Sequence, residues 1–291
     1  MTDQTHNQPL KAAVIGMPIS QSLSPMMHTH WFEAAGLEGF YRAIEVDQTD
    51  LEKQVAVFQN EGYTGFNVTV PHKTAIMSFL DKLAPSAQQI GAVNTVKISP
   101  SGELTGFNTD SIGFIKNLKD NAQKKTKGWP RDKPAMLLGA GGAARAAATA
   151  LLNDGAPMIM VCNRTREKAQ TLADSLGRGR ITVIDWDERH HAVAGAGLVV
   201  NTTVLGMVGQ ASLSLDLSGA AADTVVYDIV YKPLQTELLA TAKGRGLQTV
   251  DGLGMLVHQG AAAFKIWFNE DARYDDTLRA KLLAALGEVE A

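Results

Sequence analysis

The sequence predicts an α/β protein of two domains, the second built on a doubly wound parallel sheet. Three observations carry that prediction. The 291 residues make about two domains at the usual ~150 residues each. From Met136 onward short apolar runs alternate with helical stretches, the order that parallel crossovers and a sheet covered on both faces require. Finally, Leu137-Leu138-Gly139-Ala140-Gly141-Gly142-Ala143-Ala144-Arg145 stands between the first of those runs and an alanine-rich helix, where a phosphate-binding turn belongs.

After a polar tail, Met1 to Pro9, the run Ala12–Gly16 reads as a strand. Pro25–Ala35 reads as a helix with Ser24 as its N-cap and Pro25 at the first helical position. Phe40–Val46 is a strand, Leu51–Asn60 a helix and Phe66–Val70 a third strand, which Pro71 must end because it cannot donate to a ladder. Helical segments follow around Thr74–Leu83 and Pro85–Ile90. Strands Thr95–Ile98 and Leu104–Gly106 are joined by the turn Ser99-Pro100-Ser101-Gly102. A helix from Asp110 to Asn121 leads into Ala122–Pro134, whose five Lys/Arg, two Pro and one Gly read as an exposed loop. Six strands then follow: Met136–Gly139, Met158–Asn163, Ile181–Asp185, Leu198–Asn201, Val225–Ile229 and Gln248–Val250. Helices Ala143–Asn153, Arg166–Leu176 and Gln235–Gly244 separate several of them, and Gly254–Asn269 and Thr277–Leu286 form a helical tail.

Composition excludes several classes of function. With 45% hydrophobic residues the chain is an ordinary globular protein. Its 27 basic and 30 acidic side chains carry no electrostatic footprint for nucleic acid or an anionic membrane. The single cysteine, Cys162, excludes a disulfide framework or a thiolate metal cage and reads as a packed thiol. His28 with His30, and His190 with His191, have no Cys or acidic cluster at ligand spacing, so no metal is expected. Ala12–Ile15 is too short for a signal-peptide core, and no run approaches the ~18 apolar residues of a membrane span. A cytoplasmic location is the expectation.

The glycine run carries the first chemistry. Gly139 permits the tight turn, Gly141 lets backbone approach a pyrophosphate, and Ala144 allows close helix–sheet packing, while the helix N-terminus offers unpaired N–H groups to phosphates. Gly139, Ala140, Gly141, Gly142 and Ala143 are therefore the expected cofactor loop of a Rossmann domain. NAD-binding domains place an acid some ~20 residues further on, against the ribose 2′-hydroxyl. Here the next strand ends in Asn163-Arg164-Thr165. A guanidinium suits a 2′-phosphate and stacks on adenine. Helix capping explains Thr165 but not the missing acid, so NADP is favoured over NAD.

Four segments of the first half concentrate small polar groups beside strand ends: Ser22-Leu23-Ser24-Pro25, Asn67-Val68-Thr69-Val70-Pro71-His72-Lys73, Ala92-Val93-Asn94-Thr95 and Asn108-Thr109-Asp110. Singly, each reads as a cap, a strand end or a turn. Together they supply hydroxyls, amides, an ammonium and a carboxylate, the inventory for a polyhydroxylated ligand.

The ordered set SLSP, NVTVPHK, GAVNT, NTD, GAGGAARAA, NRTREKA, NTTVLGM, YDIVY and GLGMLVHQ resembles the shikimate dehydrogenase family, from Ile15 to Trp267. The resemblance implies an N-terminal α/β substrate domain, a Rossmann NADP-binding domain, and C-terminal helices packing back on the first domain. The boundaries expected are 1–109 with 252–291 for the substrate domain and 110–251 for the cofactor domain. The activity implied is reversible NADPH-dependent reduction of 3-dehydroshikimate to shikimate.

By the same resemblance Lys73 and Asp110 match the catalytic pair, and Ser22, Ser24 and Tyr231 match groups that hold the substrate carboxylate. Asn67, Thr69, Asn94 and Gln259 match residues that bond the ring hydroxyls or support those that do. Gly252 and Met255 match a segment lying against the nicotinamide. Which of Lys73 and Asp110 is the base stays open, as does monomer or homodimer. Departures are Val204, where many relatives carry serine, and His258 and Gly260 in place of commoner alanines. A quinate/shikimate or aminoshikimate dehydrogenase tolerant of NAD is the alternative enzyme. A non-catalytic NADPH-binding regulator is disfavoured by the presence of both Lys73 and Asp110.

Overall fold

Parallel pairing needs a long crossover between strands, and the first hundred residues supply two of them. The computed structural model describes residues 9–122, 128–176 and 179–288. Strand β1 (Leu10–Gly16) is followed by helix α1 (Ser24–Ala35), β2 (Gly39–Glu45), helix α2 (Leu51–Asn60) and β3 (Gly65–Val68). β1 pairs in parallel with both β2 and β3. The sheet then changes hand: after β4 (Lys82–Leu83) and α3 (Pro85–Ile90), strands β5 (Thr95–Ile98) and β6 (Leu104–Phe107) join it as an antiparallel pair. β3 is the seam, parallel to β1 on one side and antiparallel to β5 on the other. The strand order is β2-β1-β3-β5-β6-β4.

The second sheet begins after helix α4 (Asp110–Ala122). It comprises β7 (Ala135–Leu138), α5 (Gly142–Asn153), β8 (Ile159–Cys162), α6 (Arg166–Leu176), β9 (Ile181–Ile184), the single turn α7 (Arg189–Ala192), β10 (Leu198–Asn201), β11 (Val225–Asp228), α8 (Glu237–Gly244) and β12 (Gln248–Val250). All its pairings are parallel, in the order β12-β11-β10-β7-β8-β9. Its core strands β7, β10 and β11 are buried along their whole length, which is why they read as unbroken apolar runs. Helix α5 presents Ala144, Ala147 and Ala148 to the core with no exposed surface, and their small side chains let it lie close to the sheet. Phe114 of α4 stacks on Tyr227 of β11 at 4.8 Å and 9°.

The chain ends in α9 (Leu253–Phe268) and α10 (Asp276–Leu286). By contacts it separates into one unit of residues 1–109 with 260–285 and another of 110–259 with 286–288, so 252–259, expected with the first domain, cluster with the second unit. No described helix is long and apolar enough to cross a membrane.

Several local expectations change. Ser24 is the first residue of α1 and not its cap; Leu23 holds the cap position without a side-chain bond, and Ser22 Oγ accepts from the Ser24 N–H at 3.3 Å. The helix expected over 74–83 is a 3-10 turn, Ala75–Phe79, followed by β4, whose two residues are too few to show a period. The strand expected to reach Gly139 stops at Leu138, because Gly139 turns to φ +113. The loop expected over 122–134 lies partly outside the described residues. Its Trp129 is 4% exposed and joins the apolar core, so that stretch is not wholly a solvated loop.

Gly65 shows how tightly the seam is built. A Cβ there would stand 2.3 Å from the Val96 carbonyl oxygen and 2.2 Å from Trp267 Nε1, and those two groups are hydrogen-bonded at 2.9 Å. Neither can yield without losing the bond. Gly65→Ala should therefore destabilise by about 2–5 kcal/mol, adding overpacking to a broken buried hydrogen bond. The midpoint of urea unfolding measures this, and an unchanged midpoint would contradict the packing described.

Candidate active site

The polar residues singled out in the first half gather at one end of the first sheet. Strands β1 and β3 continue to bond past their ends, with Thr69 N–H donating to Ile15 O at 2.9 Å and Met17 N–H to Val70 O at 3.0 Å. This keeps the SLSP loop beside the NVTVPHK turn. That turn is held at three points. His72 N–H donates to Thr69 O at 2.9 Å, the Lys73 carbonyl accepts from Val93 N–H at 2.8 Å, and buried His72 places Nε2 2.7 Å from Val46 O. Lys73 and Thr69 are half-buried; Ser24, Asn67 and Asn94 are buried.

Asn67 and Asn94 lie on the seam and share a network. Asn67 Nδ2 donates to Asn94 O at 3.0 Å and to Thr95 Oγ1 at 2.9 Å, while its Oδ1 accepts from the Tyr41 hydroxyl at 2.7 Å. Asn94 Oδ1 accepts from Thr109 N–H at 2.8 Å and Thr95 Oγ1 at 3.0 Å, and its Nδ2 donates to Thr109 Oγ1 at 2.9 Å. Both protons of the Asn67 amide are spent inside the protein. Of the two roles the family resemblance leaves Asn67, this geometry fits support of the site and not direct donation to a ring hydroxyl.

Two residues missed in the sequence complete this end. Tyr41, on β2, holds Asn67 Oδ1, and burial pushes its phenol well above the ordinary range, so it stays protonated. His28, on α1, stacks on the Tyr41 ring at 3.9 Å and 2°. Burial lowers its pKa from 6.5 to about 3, and neither ring nitrogen finds a partner. No period in the strand FYRAIE marks Tyr41, since Arg42 and Ala43 after it are both exposed.

In the second unit the glycine loop leaves β7 at the point where the strand order reverses, with β8 to one side and β10 to the other. A Cβ on Gly139 would meet Thr202 Oγ1 at 2.6 Å, besides the strain of its positive φ. Gly141 is different: a Cβ there would meet nothing within 4 Å. The protein itself does not demand glycine at 141, which fits a site where a ligand takes that space. Helix α5 starts directly after it without a side-chain cap, so its first-turn N–H groups suit a pyrophosphate.

At the end of β8, Asn163 Nδ2 donates to Thr165 O at 2.8 Å, while Arg164 and Thr165 are exposed. These residues fit the 2′-phosphate of NADP in donor chemistry. Cys162 next to them is buried, which pushes its thiol up to about 11 and leaves it a poor nucleophile.

Asp228, at the end of β11, was not singled out either. Its carboxylate accepts from Val230 N–H at 3.0 Å, Asn201 Nδ2 at 3.0 Å and Thr236 Oγ1 at 2.7 Å. Burial nonetheless raises its pKa to about 6. It ties the segment carrying Tyr231 to the loop after β10, where Asn201 Oδ1 accepts from the Thr203 N–H and hydroxyl. Tyr231 is half-buried, and burial raises its phenol above the usual value.

Gly252 lies against the same segment, since a Cβ would stand 2.1 Å from Ile229 O. Asn117 holds this corner, donating to the Tyr227 hydroxyl at 2.9 Å and to Asp251 O at 2.7 Å. Met255 is nearly buried in the core. Gln259 is half-buried, with Nε2 donating to Leu256 O at 2.9 Å. Asp110, 5% exposed, opens helix α4. Exposed Val204 follows Thr203, and His258, also buried, pairs with Asp120 at 2.9 Å.

Comparison with known proteins follows this division. Residues 14–96 match the family described as "Shikimate dehydrogenase substrate binding domain". Residues 120–207 match "Shikimate / quinate 5-dehydrogenase", and 252–280 match "Shikimate 5'-dehydrogenase C-terminal domain". The chain is 47% identical over 274 residues to the shikimate dehydrogenase (NADP(+)) of Paramagnetospirillum magneticum, covering 94% of this chain and 98% of that one. Among solved structures, the Thermus thermophilus shikimate 5-dehydrogenase in complex with NADP(H) and shikimate superposes with TM-score 0.82 at 36% identity, covering 95% and 99% of the two chains. The Corynebacterium glutamicum quinate dehydrogenase in complex with NAD gives TM-score 0.86 at 31% identity, covering 96% and 100%.

The neutral burial of His28 carries a pH dependence. The unfolded chain takes up a proton near 6.5, and the folded protein resists it until about 3, so this contribution is intact above pH 6.5 and is lost as pH falls. Between pH 6.5 and 4.5 the loss amounts to two units at ~1.4 kcal/mol each. His28→Phe, which keeps a stacking ring, should remove about 2–3 kcal/mol of the acid destabilisation, read by urea unfolding at both pH values. Parallel pH profiles for the two proteins would refute the assignment.

Proposed function

The chain belongs to the shikimate dehydrogenase family, and on that premise we propose that it catalyses the reversible NADPH-dependent reduction of 3-dehydroshikimate to shikimate, in the cytoplasm and as a monomer or homodimer. The observation that carries this reading is the gathering of Ser22, Ser24, Asn67, Thr69, Lys73 and Asn94 at one end of the first sheet. In this reading the first unit is the substrate domain and the second, with its glycine loop and Arg164, takes the cofactor.

NADP, when bound, supplies or accepts the hydride at the ring carbonyl carbon. Hydride addition builds negative charge on the carbonyl oxygen. The Lys73 ammonium is the group proposed to stabilise that charge and to deliver the proton that completes the alcohol. In the oxidation direction neutral Lys73 takes the proton back. Asp110 is its proposed partner, the carboxylate that orients the amine. Ser22, Ser24 and Tyr231 donate to the substrate carboxylate; the raised pKa of Tyr231 keeps it a donor. Thr69, Asn94 and Gln259 face the ring hydroxyls. Gly139, Ala140, Gly141, Gly142 and Ala143 cradle the pyrophosphate, Asn163, Arg164 and Thr165 the 2′-phosphate, and Gly252 and Met255 line the nicotinamide side.

Steady-state kinetics with shikimate and quinate, each with NADP and NAD, test the reading directly. The highest kcat/KM is expected for shikimate with NADP, and a preference for quinate with NAD would overturn it. Lys73→Ala should lower kcat by about 10²- to 10⁴-fold, the usual yield of a positioned acid–base group, with a smaller change in KM for shikimate. A near-wild-type kcat would remove Lys73 from the mechanism. Arg164→Asp should move the NADP/NAD ratio of kcat/KM toward NAD by about tenfold or more, because a carboxylate repels the 2′-phosphate and bonds the free hydroxyl.

A further inference from the structure

The hydrogen-bond chain around Asn67 has a direction, and the direction identifies a residue that acts on the substrate site without touching it. Asn94 O is a backbone carbonyl and only accepts, so the Asn67 nitrogen faces it at 3.0 Å and Asn67 Oδ1 faces Tyr41. The Tyr41 hydroxyl therefore spends its one proton on Asn67 Oδ1, at 2.7 Å. Asn67 passes the order on through Nδ2 to Thr95 Oγ1 at 2.9 Å, and Thr95 donates to Asn94 Oδ1 at 3.0 Å.

We propose that Tyr41 is a positioning residue for the substrate: its hydroxyl fixes the Asn67 amide, and through Thr95 the amide of Asn94, so that the ring-hydroxyl end of the site holds a fixed geometry. Three further observations support this. Tyr41 is buried, and its one hydroxyl proton is already given to Asn67. His28 lies flat on its ring at 3.9 Å and Trp267 tilts against it at 6.2 Å, so the ring plane is set by packing. His28 has no hydrogen bond of its own that would pull it from the stack. The proposal rests on the shikimate dehydrogenase reading above.

Tyr41→Phe keeps ring, stack and volume and removes only the link. Its KM for shikimate should rise by roughly tenfold, the scale of one buried hydrogen bond, with kcat within about threefold of wild type and the KM for NADP unchanged. In a double-mutant cycle, Tyr41→Phe and Thr95→Val should be less than additive, because both cut one chain of bonds leading to Asn94. Thr95→Val, which removes the next link at nearly constant shape, should raise the same KM and serves as the readout if Tyr41→Phe does not fold. An unchanged KM for shikimate in the folded variants, or full additivity in the cycle, would overturn the proposal and leave the family reading standing. Wild-type protein that neither turns over shikimate nor binds it in calorimetry would sink both.

Discussion

Asn67 sits where two kinds of strand pairing meet, and its carboxamide is the interaction on which the first unit's site depends. Its neighbours in register are Val14 on the parallel side and Thr95 on the antiparallel side. A buried amide in such a place costs several kcal/mol unless each polar atom finds a partner. Asn67 finds three, on β2 and at the start of β5. The segment entering the SLSP loop, the lysine turn and Asn94 are tied to the same strand ends by backbone bonds, from Met17 N–H to Val70 O, Val93 N–H to Lys73 O and Val68 N–H to Asn94 O. Polar satisfaction acts here as a specifying constraint, in the way that buried networks fix a unique arrangement more than they add stability.

The second unit is governed by a different constraint, the reversal of strand order beside β7. Loops after β7 and β10 run apart on the helix sides, and the space they leave is where the dinucleotide belongs. A side chain at Gly139 would collide with Thr202 in the loop after β10. Asp228 then couples the loop after β10 to the segment bearing Tyr231. One buried carboxylate therefore steadies the segment of a residue proposed for the substrate, and its raised pKa is the mark of that burial.

Much of this was legible in residue order. Parallel strands announced themselves as unbroken apolar runs because both faces are covered, as in Leu198–Asn201, which agrees with the observed strand to the residue. The glycine loop was legible because its chemistry needs main-chain N–H groups and the absence of side chains, both of which sequence records. Short elements were not. β4 has two residues, and its pairing with β6 has no period to betray it. Ser24 looked like a cap because Ser-Pro opens helices, but it is the first helical residue, and Ser22 serves its N–H.

Residue order alone therefore determined the fold class, the place of the phosphate loop and the cast of polar groups, since each depends on local periodicity or on residue type at short spacing. Three-dimensional packing decided which of those groups are spent within the protein and which remain to meet a ligand. Asn67 and Thr69 stand two apart in one motif, yet the first donates both its protons inside the sheet while the second stands half-buried at the strand end. Tyr41 and His28 come from separate elements and meet only after α1 packs on β2. Hydrogen-bond saturation is a property of neighbours brought from afar, and spacing along the chain does not encode it.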